Sequence, residues 1–202
     1  MMKLYLNKTS PYARLVMVVA HEKALQERIQ PAWTDPWESA PELIAANPFS
    51  KVPALVTDEG VTIVDSTCIC DYLDEAGGGR RLMPERGRER LRVLRKYGLG
   101  RGLIDAAFAV TIERRFHASS EELPLADRWL ASVSRSLDAF DRDAELLSTS
   151  GSPDLGDLAL AVGLSYTQFR LPEVKWRPKA TTLSRWFDRL EARPSMEATK
   201  PS

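Results

Sequence analysis

The 202-residue chain has almost no sulfur chemistry of its own. Its two cysteines, Cys68 and Cys70, lie two positions apart in a helical pattern, which turns them about 200° from each other around the axis. That spacing excludes an easy bridge or a shared metal, and there is neither a C-x-x-C pair nor a disulfide framework. Histidine is as scarce: His21 and His117 stand far apart with no ligand spacing around them, so no metal is expected. Net charge is missing too, because 28 basic and 28 acidic side chains cancel. Nothing then draws the chain to a phosphate backbone or an anionic bilayer, and neither nucleic acid nor membrane is expected as a partner. Long apolar runs are absent as well. The longest, Leu15 to Ala20, is far too short to cross a membrane, and Met1 to Asn7 has no apolar h-region. The expectation is a soluble, cytoplasmic protein.

What is present changes character midway. Lys3 to Leu6 reads as a short strand, followed by a turn and a helix from Tyr12 to about Lys23 with Pro11 at its first position, where the missing N–H costs nothing. Ser10 is then the N-cap. A weak strand over Arg28 to Gln30 and a short helix over Glu42 to Ala46 complete a βαβ unit. Pro53 to Val56 and Val61 to Val64 read as two strands around the turn Asp58-Glu59-Gly60, and a helix from Ser66 to about Glu75 follows. Gly77-Gly78-Gly79-Arg80-Arg81, with Pro84 beyond, reads as a linker; without a following G-K-[ST] it is not a phosphate loop. Further on, Arg86 to His117, Pro124 to Leu147, Asp154 to Phe169 and Thr182 to Ala192 carry apolar positions at helical spacing. The fold class is therefore α+β in two domains: a β-α-β-α-β-β-α domain over residues 1–77, a linker over 78–88 and an all-α bundle over 89–202.

Two stretches could carry chemistry. In Asn47-Pro48-Phe49-Ser50-Lys51-Val52-Pro53-Ala54-Leu55, a proline opens a strand. Were the Val52-Pro53 bond cis, the main-chain groups of Val52 would face outward and could pair with an extended peptide. The plainer reading is an edge-strand proline without a role. In Val64-Asp65-Ser66-Thr67 a strand end feeds a helix. Ser66 as N-cap, with the free helix N–H groups, suits a carboxylate, and Asp65 suits an ammonium, so one amino-acid zwitterion fits the pair. The plainer reading is a cap without a ligand.

Taken together, Ser10-Pro11-Tyr12-Ala13-Arg14 at the first helix, the N-P-x-x-K-V-P-A-L run and Asp65-Ser66 at the third helix resemble the thioredoxin-like domain of the glutathione S-transferases. The helical second half is similar to the rest of that family. Asp154-Leu155-Gly156-Asp157 resembles its structural N-cap box, and the region from Tyr166 to Met196 resembles the small bacterial YibF-type members. The resemblance implies glutathione as co-substrate, with its γ-glutamyl group at Asp65 and Ser66, its cysteinyl backbone on Val52 beside Pro53, its glycine carboxylate near Lys51 and its sulfur at Ser10. It further implies a homodimer and a small hydrophobic electrophile as the second substrate.

In redox relatives the first sulfur of a C-P-Y-C motif attacks a disulfide; here Ser10 and Ala13 stand in place of both sulfurs, so protein-thiol exchange is excluded. The sulfur would be the ligand's own. A hydrogen bond to a charged group contributes roughly 1.5–3 kcal/mol, about one to two pKa units, which suffices to make thiolate a major species near neutrality. Ser10 is the expected donor, with Thr9 and, less so, Tyr5 as alternatives. Trp33 and Trp37 could line the groove, and Tyr97, Phe108, Arg114 and Tyr166 an electrophile pocket. Gly98, Gly100 and Gly102 suggest a kink or a close backbone approach. Two other functions remain open: a non-catalytic interaction protein of the stringent-starvation type, which would lack a glutathione groove, and a glutathione-dependent reductase, which would need a cysteine at Ser10.

Overall fold

The computed structural model describes residues 1–119, 122–147 and 151–201; Ser202, the last residue of the expected second domain, lies outside them. In the first half, β1 (Met2–Leu6) is the centre of a four-stranded sheet. It pairs in parallel with β2 (Ile29–Trp33) and antiparallel with β3 (Ala54–Val56), which pairs antiparallel with β4 (Thr62–Val64), so the order is β2-β1-β3-β4. β2 runs past the expected Gln30 to Trp33. Its Pro31 looks like a strand breaker in sequence, but an edge strand tolerates a residue that cannot donate. Helices α1 (Pro11–Glu22), α2 (Pro41–Ala46) and α3 (Ser66–Ala76) complete the unit. Leu15, Val16, Val18, Val19 and Ala20 of α1 are all fully buried, as the unbroken apolar run implies.

The glycine-rich segment after α3 is fastened down. A side chain added at Gly77 would put its Cβ 2.6 Å from Lys23 Cβ, so only glycine lets the chain pass there. Lys23, almost fully buried, donates to Arg80 O at 3.0 Å and pairs with buried Asp74 at 3.1 Å. Asp74 also accepts the N–H groups of Leu82 (2.8 Å) and Met83 (2.9 Å). Burial by itself would raise the Asp74 carboxyl; those two N–H groups and the Lys23 ammonium outweigh it and hold the group below its ordinary value. The first compact unit consequently runs to Met83 and takes back the chain from Pro194 onward. Those last residues pack with α1. Arg14, buried within the apolar α1, donates to Met196 O at 3.1 Å, and Ser195 Oγ donates to Glu22 Oε1 at 2.5 Å.

The second unit, Pro84–Arg193, is helical among the described residues: α4 (Gly87–Phe116), α5 (Pro124–Arg142), α6 (Leu155–Arg170) and α7 (Thr181–Glu191). A last short helix, α8 (Pro194–Glu197), belongs to the first unit. α5 stops before the expected Leu147 because Asp143 turns to accept Leu146 N–H at 2.9 Å and to pair with Arg95. α6 is the buried centre. The expected N-cap box is formed, Asp157 N–H donating to Asp154 at 2.8 Å and Asp154 N–H to Asp157 at 3.0 Å. Lys96 of α4 adds a buried cation 2.6 Å from Asp157. Burial and the neighbouring Asp154 raise the Asp157 carboxyl above its ordinary value despite that cation. Gly100 is where α4 and α6 meet backbone to backbone: a Cβ there would lie 2.5 Å from Leu160 N. α4 continues unbroken through the three glycines, so Gly100 marks a close approach, and Gly98 and Gly102 face open space.

Candidate functional site

The sheet register brings the candidate residues to one edge of the first unit. Ala32, Tyr5, Ala54 and Val64 lie side by side in one row across the four strands. One step beyond that row are Trp33 on β2, Leu6 at the end of β1, Pro53 entering β3, and Asp65 leaving β4. Ser10, Lys51-Val52-Pro53 and Asp65-Ser66 therefore emerge along the same edge although 56 positions separate the outermost, Ser10 and Ser66. Neighbouring strands are about 4.8 Å apart, so the ends of β1 and β4, two strands away from each other, are roughly 10 Å apart.

Ser10 caps α1 as expected: its backbone is extended and Oγ accepts the Ala13 N–H at 3.2 Å. That bond uses a lone pair, not the hydroxyl proton. Thr9 is differently placed. Both its N–H and its hydroxyl donate to Asn7 Oδ1, each at 2.9 Å, and Ser10 N–H donates to Asn7 O at 3.3 Å. Asn7 thus sets the shape of the loop between β1 and α1 and takes the single proton of Thr9. Tyr5 is buried in the cluster with Leu43 and Ala54, away from this loop.

A second asparagine shapes the next loop. Buried Asn47 donates from Nδ2 to Lys51 O at 2.7 Å and accepts Phe49 N–H at 3.1 Å, while Ser50, with φ of 50°, donates from its N–H to Asn47 O at 2.8 Å. The bond between Val52 and Pro53 is cis. Val52 packs its side chain against the Tyr5 cluster and precedes Ala54, the first residue paired in the ladder. Lys51 is exposed.

At the third helix the expected cap is corrected by one position. Asp65, not Ser66, is the N-cap: its Oδ1 accepts Thr67 N–H at 2.7 Å, and Ser66 is the buried first residue of α3. Asp and Ser are both good caps, and the left-handed backbone at Asp65, φ of 66°, decides between them by turning the chain there. A non-glycine residue in that region costs about 1–3 kcal/mol, and such strain gathers where a fold holds a ligand.

Beside the loops at the ends of β1 and β2 lies an open depression of about 360 Å³ lined by Asn7, Lys8, Thr9, Trp33, Thr34 and Asp35. Trp33 contributes an exposed ring to it; Trp37 is exposed but outside its lining. In the helical unit, Tyr97 and Tyr166 are buried and Phe108 half-buried, as core residues are, and Arg114 pairs with Glu173 at 2.7 Å. Trp176 and Trp186 are buried, Trp129 half so. Among the described residues no group of His, Cys, Asp and Glu could hold a metal, and no helix is long and apolar enough to cross a membrane.

Sequence reasoning missed Asn7 and Asn47, whose contribution is to fix backbones and not to face a ligand. The available signal was the Asx pattern, an asparagine two residues before the N–H it binds.

Comparison with known proteins agrees with this architecture. Residues 9–76 match the glutathione S-transferase N-terminal domain and residues 124–189 the corresponding C-terminal domain. The chain is 28% identical over 204 residues to the uncharacterized GST-like protein YibF of Escherichia coli strain K12, covering 99% of this chain and 98% of that protein. A glutathione transferase family member from Pseudomonas fluorescens Pf-5, solved with bound glutathione, superposes with a TM-score of 0.92 at 32% identity over the whole of both chains. A glutathione S-transferase from Methylobacillus flagellatus KT, solved with glutathione bound, gives 0.86 at 31% identity, again over both complete chains. With the mixed four-stranded sheet, the helical second unit and two family-specific matches in the same order, the chain belongs to the glutathione S-transferase family.

Proposed function

We propose that the protein is a glutathione transferase. The observation that carries the reading is the Ser10 hydroxyl at the N-terminus of α1, its lone pair taken by Ala13 N–H and its proton available to a sulfur. Support comes from the glutathione held by the solved relatives that match over their full length. An extended tripeptide spans roughly 10 Å, about the distance from the end of β1 to the end of β4. In this reading Asp65 meets the γ-glutamyl ammonium with the carboxylate oxygen that Thr67 does not occupy, and Ser66 with the first N–H groups of α3 receives the γ-glutamyl carboxylate. The Val52 backbone pairs with the cysteinyl residue beside Pro53, and Lys51 reaches the glycine carboxylate.

The Ser10 O–H and the partial positive charge at the start of α1 favour the anionic sulfur, so the thiol proton passes to solvent before the electrophile reacts. With an activated aryl halide, the thiolate forms the S–C bond and the halide leaves with its electron pair. In this reading Trp33 and the 360 Å³ depression offer the electrophile a surface beside the loop that leads to Ser10. The protein is read as cytoplasmic and, from Leu91, Leu94 and Leu99 exposed along α4, as a homodimer. Calorimetric titration with glutathione, then turnover of an activated aryl halide, tests the proposal; no glutathione binding would refute it and leave the interaction-protein reading in its place, and binding without turnover would remove the transfer step.

A further inference from the structure

The loops that leave β1 and β2 on one edge of the sheet are held side by side. Trp33 stands opposite Leu6 in the parallel ladder, and Thr34 N–H donates to Leu6 O at 3.0 Å, which ties the chain past β2 to the chain past β1. The open depression of about 360 Å³ lies beside these loops. Its volume falls within the range of about 300–1,000 Å³ usual for small-molecule sites. In the sheet order β2-β1-β3-β4 it is on the β2 side of β1, whereas the peptide groove assigned above follows β3 and β4. Ser10, next to Thr9 of the lining, therefore has the groove on one hand and the depression on the other.

The lining is polarised. Asn7 Oδ1 accepts both protons of Thr9, so what Asn7 has left to offer is its Nδ2 donor. Lys8, exposed on the same loop, adds the three protons of an ammonium. Trp33 brings an aromatic surface that is 59% exposed. The acid of the lining is Asp35, on the loop from β2, with one oxygen on Trp37 N–H at 3.0 Å. The cation thus stands on the β1 loop and the anion on the loop across from it, so an anionic group fits at the β1 side and is turned away from the β2 side. The indole face favours a flat ring, above all one made electron-poor by the substituents that activate it toward a thiolate.

We propose that the depression selects aromatic electrophiles that carry a carboxylate, the ring on Trp33 and the carboxylate on Lys8 and Asn7, with Asp35 setting which way round the ring enters. The proposal rests on the glutathione transferase reading. Lys8 is two residues before Ser10, at most about 7 Å along the main chain, so a ring held there is close to the sulfur that Ser10 would meet. Asn7 is already fixed by Thr9, and the β2 loop by Leu6, so binding has few groups left to order. Lys8 is exposed, and its pair with the carboxylate contributes what a surface ion pair does.

Titration of the full chain, without glutathione, by 4-chloro-3-nitrobenzoate and by 4-chloro-3-nitrobenzamide tests it, followed by turnover of both with glutathione, each rate taken relative to the uncatalysed reaction. The acid is expected to bind about two- to fivefold more tightly than the amide at low ionic strength, the factor of one exposed ion pair, and the difference should shrink in high salt. Lys8→Met should bring the acid down to the amide's affinity. Asp35→Asn, which keeps an acceptor for Trp37 N–H, should widen the preference, and Trp33→Leu should weaken both ligands about two- to tenfold. The same order is expected in kcat/KM. Equal binding of acid and amide, a preference that survives Lys8→Met or narrows in Asp35→Asn, or affinities unchanged in Trp33→Leu would each overturn the proposal. Should the chain bind glutathione and turn over the amide without preferring the acid, this assignment alone falls; should it bind no glutathione, the transferase reading falls and takes the substrate assignment with it.

Discussion

Removing the Ser10 hydroxyl separates the two tasks assigned to it. Ser10→Ala deletes an N-cap that accepts Ala13 N–H at 3.2 Å, which costs about 0.5–2 kcal/mol of stability. Ser10→Gly costs only a few tenths of a kcal/mol at a cap yet removes the hydroxyl just as completely, so it is the cleaner variant. On the sulfur, a charge-assisted hydrogen bond of roughly 1.5–3 kcal/mol corresponds to about one to two pKa units. Bound glutathione should then ionise near about 6.5–7.5 in place of about 8.5, giving roughly a quarter to three quarters thiolate at pH 7 against about 3% for the free thiol. Because the bound pKa is the lower one, glutathione affinity should rise with pH up to about 8.5 and level off above it. In either variant the titration midpoint should move back up by about one to two units. Turnover at pH 7 should fall less, about threefold, because the more basic thiolate is also the better nucleophile, with a Brønsted coefficient near 0.4–0.5. The decisive assay is therefore the ultraviolet absorbance of the thiolate, followed against pH in the glutathione complex. A midpoint unchanged in Ser10→Gly, with glutathione still bound, would falsify the role of the hydroxyl and transfer it to main-chain N–H groups, since the Thr9 proton is held by Asn7.

Three further outcomes are expected. Asp74→Asn leaves the Lys23 ammonium buried without its counter-charge and should cost about 3–5 kcal/mol at pH 7 in chemical denaturation. The Asp74 carboxyl lies below its ordinary value in the folded chain, so its contribution is present above about pH 4 and is lost as pH falls through the folded value; the gap between the variant and the parent should close over that acid range, and a gap constant with pH would contradict the pairing. Gly100→Ala places a methyl 2.5 Å from Leu160 N, and the overpacking of about 1–3 kcal/mol should exceed the helix-propensity gain of at most about 1 kcal/mol, whereas Gly98→Ala, with open space around it, should be neutral or stabilising in thermal melts. Sedimentation equilibrium should show a dimer that Leu91→Lys weakens, Leu91 being 67% exposed on α4; a monomer at all concentrations would remove the dimer from the reading.

Much of this was legible because its causes are local. Ser10-Pro11 restricts where a helix can start, and Asp154 with Asp157 satisfies two helix N–H groups within three residues, so the start of α1 and the box of α6 both follow from short stretches. The two halves separate by content, strand-like runs interleaved with helices before Gly77 and helical spacing alone after it. What stayed hidden depends on partners far along the chain. Arg14 sits in an apolar helix without visible reason until Met196, 182 positions away, accepts its N–H. Lys96 reads as one more solvated lysine of a charged helix until Asp157 arrives 61 positions later. The cap of α3 moved from Ser66 to Asp65 because the choice between adjacent good caps rests on a left-handed backbone set by the sheet, which side-chain preference does not encode.

Both assigned ends of the peptide groove are helix caps, Ser10 on α1 and Asp65 on α3. A cap is a polar side chain fixed by folding at the point where a helix exposes its N–H groups, so the interaction that stabilises the helix also orients the group a ligand would meet. The two caps divide the work by charge. Ser10 is neutral and keeps a proton, which suits an anion that has to form during the reaction. Asp65 is anionic, spends one oxygen on Thr67 and keeps the other, which suits a cation already present in the ligand. Exchanging the two would leave both helices capped while placing a carboxylate against the sulfur, where like charge would raise the thiol pKa instead of lowering it. Helix stability alone is indifferent to that exchange; the proposed thiolate role is not.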